Sequence, residues 1–250
     1  MSRVYVLLPP SETKEPGGSG PALDLSRLSH PGLTSVRSQL LAVAAAVSSD
    51  LPAARAALKV SAGLDDEIAH NTRLLTAPTM PALYRYSGVL YAALHSPKLT
   101  RAESSRAAAR ILITSALFGL VRGTDLIPAY RLSAGSRLPG LPTPAALWRP
   151  ALTQVLAALD EPLLDLRSGA YAAFAPAPNA ISVRVVAAGG AGDQKSVSHD
   201  NKVIKGALAR VVATSRAGID TPGKLIALAR RAGLTVQRTG ASAIELIAPK

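Results

Sequence analysis

The chain is 250 residues long, 48% hydrophobic and free of cysteine. It therefore holds enough apolar material for a sizeable core, and disulfides, thiolate catalysis and cysteine-ligated zinc or iron–sulfur centres are excluded. The net charge is +12 and unevenly placed: residues 195–250 hold ten Lys or Arg against three Asp or Glu, residues 101–149 seven against two, and these stretches account for the whole excess.

Segregated positive charge steers polyanions over long range, so nucleic acid or a phosphorylated small molecule is the leading partner class. The bland alternative is the arginine-rich habit of a GC-rich genome. In chain order, Val4 to Leu8 is a near-continuous apolar run ended by Pro9-Pro10, a central strand emptying into a loop. That loop, Pro9 to Pro21, carries Ser11, Glu12 and Lys14 and then Gly17, Gly18 and Gly20, so its far half is expected to be mobile. Helical spacing of Ala and Leu covers Thr34 to Ser48 and Pro52 to Lys59, a third helix covers Asp65 to Leu74, and Pro81 to Leu94 reads as helical despite Gly88. Arg101 to Arg110 is a short helix feeding a buried strand, Ile111 to Ser115.

Leu117 to Arg137 follows. Here an apolar run breaks into a loop fixed by Gly119, Gly123 and Pro128, from which Arg122, Arg131 and Arg137 project. Pro144 to Leu159 is a longer helix with Thr143 as N-cap, and Leu163 to Leu166 and Ile181 to Ala187 are strands. The stretch Gly189 to Ser196 resembles a phosphate loop only loosely, because Gln194 stands where that motif needs glycine, and it reads as a flexible connection. Two strands, Leu234 to Gln237 and Ala243 to Ile247, end the chain. Strands and helices alternate irregularly and no period repeats, which predicts a single mixed α/β (α+β) domain over 1–250, a mixed sheet flanked by helices.

The clearest two-faced element is Asn201 to Arg216. At about 100° per residue, Val203, Ile204, Ala207, Leu208, Val211 and Val212 share one face, with Lys202, Lys205, Arg210 and Arg216 opposite. Within that element these cations have no acidic partner three or four residues on, so they are left for an external anion or for water. Gly218 can stop this helix and Asp220-Thr221-Pro222 starts another through Ala232, placing Lys224 beside a helix N-terminus. His30, His70, His95 and His199 show no H-x-x-x-H or H-x-H spacing, so no metal and no cofactor is expected. No apolar run approaches the roughly 20 residues of a membrane span, and a soluble, cytoplasmic protein is expected.

Several of these segments together resemble the YaaA family of peroxide-stress proteins. The strand-loop ending in Ser-x-x-Lys is matched by Ser11 and Lys14. The Leu-Tyr-Gly…Asp…Pro-Tyr-Arg-Leu core is matched by Leu117, Gly119, Asp125, Tyr130, Arg131 and Leu132, and a leucine-tryptophan signature by Leu147-Trp148. The Lys-Lys-Ala-Arg-Gly-x-x-x-Arg helix is matched by Lys202, Gly206 and Arg210, with Lys205 in place of arginine. Departures are Gly88-Val89-Leu90-Tyr91 where the family often has Gly-Asp-Val-Tyr, Phe118 for tyrosine, and Val203 for the second lysine. The resemblance implies a mixed α/β fold peculiar to the family, a positively charged cleft, a helix-hairpin-helix type element (at 201–232 or at Val36 to Leu58) and binding to duplex or distorted DNA, with a role in limiting oxidative damage.

Two readings of function follow. In the first, Lys202, Lys205, Arg210, Arg131 and Arg137 line one furrow with Lys14 near its floor and Lys224 beside it. They grip DNA phosphates without reading sequence, on bent or mismatched duplex, with a salt slope of roughly −4 to −5. In the second, the chain is an enzyme on a nucleotide-like or phosphorylated small molecule. Ser11, Glu12, Lys14, Asp125, Tyr130 and Arg131 then converge in one pocket, the cations holding the anion and Glu12 or Asp125 acting as acid or base. Docking of an acidic protein is a third reading. With no cysteine and only two methionines, direct peroxide chemistry is not expected.

Overall fold

The computed structural model describes residues 4–95, 98–187 and 194–248. Five strands form the parallel heart of one sheet: β1 (Tyr5–Leu8), β3 (Ile111–Ser115), β6 (Leu163–Asp165), β7 (Ala180–Ala187) and β9 (Ala243–Ala248). Antiparallel strands β4 (Gly119–Arg122) and β8 (Val236–Gly240) close its two edges, giving the order β4-β3-β1-β6-β7-β9-β8. A separate ribbon pairs β2 (Met80–Pro81) with β5 (Leu126–Ile127). β1 and β3 are buried along their whole length, which is why they read as unbroken apolar runs rather than alternating ones. Around the sheet lie α1 (Thr34–Val47), α2 (Leu51–Leu58), α3 (Asp65–Ala69), α4 (Ala82–Arg85), α5 (Val89–His95), α6 (Arg101–Arg110), α7 (Pro144–Ala157), α8 (Gly169–Ala172), α9 (Gln194–Thr214) and α10 (Pro222–Arg231). One contiguous apolar core runs from Val4 to Ala248, in keeping with the mixed α/β fold expected.

Local chemistry sets most boundaries where the sequence placed them. Thr143 caps α7 by accepting from the Ala146 N–H at 3.2 Å, and Thr100 and Glu103 make a reciprocal capping box on α6. Several expectations need correction. Pro81 to Leu94 is two helices: Gly88 takes φ +96° and Tyr86 is extended, bridging to Lys14. The third helix ends at Ala69, and His70–Arg73 tightens into a 3-10 turn. Leu117 to Arg122 is no loop but a hairpin returning as β4, made possible by Gly119 at φ +74°, over whose Cα the Trp148 ring lies. The glycine half of the first loop is pinned, for Gly20 pairs with Thr79, and a Cβ on Gly18 would stand 2.4 Å from the Thr79 carbonyl oxygen.

In the C-terminal third, Val203 falls off the docking face of α9 and is 37% exposed, whereas Ile204, Leu208 and Val212 are buried. Of the glycine-rich stretch expected as a connection, Gly189 to Asp193 lie outside the described residues, and 194–196 belong to α9. Residues 215–221 join α9 to α10, while only 48–50 join α1 to α2, so the tighter of the two expected hairpins is the N-terminal one. Two α6 arginines reach the carbonyl end of α9: Arg106 donates to the Thr214 oxygen at 2.7 Å and Arg110 to those of Val212 and Ser215. Guanidinium groups at a helix C-terminus satisfy its orphan carbonyls and oppose the negative end of its dipole.

Candidate functional site

β1 and β6 are neighbours, but the chain leaves β1 for β3 on one side and leaves β6 for β7 on the other. A crevice opens where parallel order reverses in this way, beyond the carboxyl ends of the two strands. A cavity of about 630 Å³ fills it. One wall is the loop after β1, Pro9 to Thr13; another is the loop after β6, Leu166 to Gly169. The rest comes from Ser87 to Tyr91 at the start of α5 and from Asn201, Lys202 and Lys205 on α9.

Each wall is held by an identifiable contact. The Tyr91 hydroxyl donates to the Pro9 carbonyl at 2.8 Å. Gly88 leaves room for Ser11, whose Oγ would be 2.9 Å from a Cβ there. Arg167 makes a paired interaction with Asp165, Nε to Oδ1 at 3.0 Å and Nη2 to Oδ2 at 2.8 Å, and also donates to the Ala175 carbonyl, which fixes the β6 loop. Lys205 lays its amine 3.3 Å from the carbonyls of Leu166 and Arg167, and burial pulls its pKa down. Lys202 is exposed on the rim with no hydrogen bond or ion pair to any described residue. The Tyr171 hydroxyl is buried at the wall without a hydrogen-bond partner among the described residues. Burial and the Glu12 charge push its pKa up.

Beneath the first loop lies a second group. The Lys14 amine donates to the carbonyls of Ser11 and Glu12, both at 3.1 Å, and stands 4.2 Å from the centre of the Tyr130 ring. Burial lowers its pKa to about 8, with Glu12 acting against and Arg131 with that shift. The Tyr130 hydroxyl lies 2.9 Å from that of Tyr86 and 2.8 Å from Ser115 Oγ, and burial pushes Tyr86 up to about 12. Arg131 is only 14% exposed; its guanidinium meets Glu67 at 2.7 Å and Glu12 at 3.8 Å, and Asn71 clamps its backbone.

Of the residues singled out from sequence, Ser11, Glu12, Lys14, Tyr130 and Arg131 therefore come together, with Lys202 and Lys205 across the cavity from Glu12. The others go elsewhere. Asp125 is buried under Ser29 and the Arg122 N–H, accepting at 2.7 to 3.1 Å, and borders a different depression. Arg137 donates to Gly135 and Ser136 carbonyls, Arg210 to the Leu94 carbonyl, and Lys224 pairs with Asp220 at 2.8 Å. Sequence reasoning passed over Arg167, Tyr171, Asn71 and Glu67. The signal for Arg167 was present: Asp165, Arg167 and Ser168 stand where a buried strand ends, as Ser11 and Glu12 do.

The comparisons with known proteins bear on this geometry. The family model described as peroxide stress protein YaaA matches residues 4–239, which includes every wall of the cavity. The chain belongs to the YaaA peroxide-stress family. It is 50% identical over 240 residues to a UPF0246 protein of Corynebacterium efficiens, covering 94% of this chain and 95% of that one. A UPF0246 protein of Streptomyces coelicolor is 43% identical over 242 residues, covering 94% and 92%. A more distant relative, an uncharacterised protein of Campylobacter jejuni, is 30% identical over 155 residues, 60% of this chain. Among the described residues no helix is long and apolar enough to cross a membrane, and no three His, Asp or Glu side chains gather as a metal site would need. In this YaaA-family chain the crevice is thus built from main-chain loops, two tyrosines and the lysines of one helix face.

Proposed function

We propose that this member of the peroxide-stress family acts in that response by binding DNA, gripping backbone phosphate in the crevice between β1 and β6. The observation that carries the reading is Lys202, exposed and without an ion pair among the described residues, beside the Lys205 amine at the mouth of a cavity at the sheet's switch point. Phosphate contacts of this kind position a strand without reading bases, so binding is selective for DNA shape: bent, mismatched or opened duplex ahead of straight duplex. Arg131, Arg137, Arg210 and Lys224, which sequence alone offered to the phosphates, do not line the cavity, and Arg131 and Lys224 are paired with this chain's own carboxylates. The expected salt slope is therefore about −2 to −3, from two or three neutralised phosphates, rather than −4 to −5.

Gel-shift titration of duplex, mismatched and single-stranded DNA at two salt concentrations tests this. Lys202→Gln with Lys205→Gln should weaken binding at least tenfold on every DNA and flatten the slope. Unchanged affinity in that double variant, or a salt-independent complex, would overturn the proposal.

A second reading, an enzyme or binder for a nucleotide-like phosphorylated small molecule, is favoured by one observation: about 630 Å³ is the volume of a small-ligand pocket. Protection against thermal unfolding by micromolar nucleotide, with no gel shift, would select it over DNA.

A further inference from the structure

Both phenylalanines, the tryptophan and five of the six tyrosines are buried, none of them more than 6% exposed. Tyr84 is the exception, at 41%. Its ring is not loose on the surface, for it stacks on the His95 imidazole with centroids 5.3 Å apart and planes 22° from parallel. His95 is itself anchored, donating from Nε2 to the Leu83 carbonyl at 3.2 Å, and burial lowers its pKa, so the ring is uncharged at neutral pH. The stacked pair borders an open depression of about 670 Å³, together with Pro16, Met80 and Glu15. Ser87, Gly88 and Tyr91 border both this depression and the crevice, so the two share a wall. Their chemistry differs across it. Lys202 and Lys205 outnumber Glu12 at the crevice, whereas the depression has Glu15 and no lysine or arginine among its described lining residues. A nucleotide divides in the same way, into an anionic phosphate and a flat, uncharged base. On the shared wall Gly88 is exposed at φ +96° and presents bare backbone, over which a sugar–phosphate chain can pass closely.

We infer that an unpaired base of the bound DNA strand stacks on the Tyr84 ring, in the depression beside the crevice that holds the strand's phosphate. The inference rests on the reading of the crevice as a DNA phosphate site and adds the second half of the nucleotide to it. Glu15 turns phosphate away from the depression, and Tyr84 with Met80 and Pro16 offers a base the apolar, aromatic surface it loses on leaving the duplex stack. A base still paired inside a duplex has no free face to lay there. The platform therefore favours opened or mismatched DNA, and it does so without reading sequence, since every base has a π face.

The full chain is irradiated with a duplex that carries 5-iododeoxyuridine at one unpaired position of a short bubble, and the photocrosslink is mapped by peptide mass. In parallel, the bubble duplex, its fully paired counterpart and 2′-deoxyadenosine 5′-monophosphate are titrated against the unsubstituted chain, Tyr84→Leu and Tyr84→Phe. The crosslink is expected on Tyr84. Tyr84→Leu, which keeps apolar bulk but loses the ring, should weaken bubble binding about tenfold, leave paired duplex within twofold and leave the salt slope unchanged, because no phosphate contact is lost. Tyr84→Phe should bind the bubble as the unsubstituted chain does. A crosslink that maps away from Tyr84, unchanged bubble affinity in Tyr84→Leu, or an equal loss on paired duplex overturns the platform, and mapping the unsubstituted chain gives its answer whether or not a variant folds. If DNA binding is still lost in the Lys202 and Lys205 double variant, the phosphate crevice stands without it. A chain that binds no DNA overturns both readings, and binding of the mononucleotide alone, lost in Tyr84→Leu, would replace the strand by a free nucleotide.

Discussion

Arg37 is fully buried, and its guanidinium serves the backbone: Nε donates to the Phe118 carbonyl at 3.0 Å and Nη2 to those of Leu120 and Ser29 at 2.8 Å. Arg85, also fully buried, ties the Gly17 and Ile127 carbonyls together and bonds the Glu15 carbonyl as well. Removing such a group strands several carbonyls, so Arg85→Met should cost about 3 kcal/mol in urea denaturation and loosen the first loop. Composition could not reveal this, since an arginine that feeds carbonyls and one that waits for phosphate carry the same letter. His30 holds a left-handed backbone at φ 62°, with Nε2 buried and unpartnered among the described residues, and burial with Arg122 and Arg37 lowers its pKa to about 4. The unfolded chain binds this proton from about pH 6.5 downward and the folded chain does not. Stability is therefore lost as pH falls from 6.5 towards 4, by up to about 2 kcal/mol. His30→Asn, which tolerates that backbone, should flatten the fall in melting temperature over this window. Lys14, facing Glu12, Glu67, Arg131, Arg85, His70 and the Tyr86 and Tyr130 rings, has its pKa near 8. Its amine should therefore lose its proton with a midpoint near pH 8 when the side chain is titrated by NMR, whereas an ordinary surface lysine does so above pH 10.

At the scale of elements, the pairing of α5 with α9 decides the shape of the cavity. Gly206 is the point of closest approach: a Cβ there would fall 2.2 Å from the Leu90 carbonyl oxygen and 2.8 Å from the Ala93 methyl. Gly206→Ala must push the helices apart, at about 1–3 kcal/mol, and should weaken ligand binding by moving Lys202 and Lys205 away from the β1 loop. Combined denaturation and gel-shift measurements on this variant would show both losses; a variant as stable and as tight as the parent would contradict the packing described. Helices with strong composition, α1, α2, α6 and α7, and the buried strands β1 and β3 were legible because each carries its own pattern or cap. The hairpin into β4 was not, because its turn depends on Gly119 lying under an indole that arrives about 30 residues later in the chain, at Trp148. The site was half legible for the same reason. Ser11, Glu12 and Lys14 sit together in sequence, but Arg167 and Tyr171 join them only through the adjacency of β1 and β6, which no local pattern encodes.

For the whole molecule, the sheet's reversal point places the cavity where two loops end and one helix face looks on. If the proposed DNA binding holds, affinity and salt slope should consequently respond together to changes at Lys202, and be indifferent to Lys224, already paired with Asp220. Lys224→Gln is the matched control: equal loss of charge, no loss of binding beyond twofold. A last consequence concerns the inward-facing guanidiniums of Arg37 and Arg85. An isoelectric point counts them in full, yet no polymer can touch them, so ranking relatives by basicity would mis-order the grip on nucleic acid proposed above. Tallying lysines and arginines that border the crevice would sort them properly, even among homologues whose titration curves coincide.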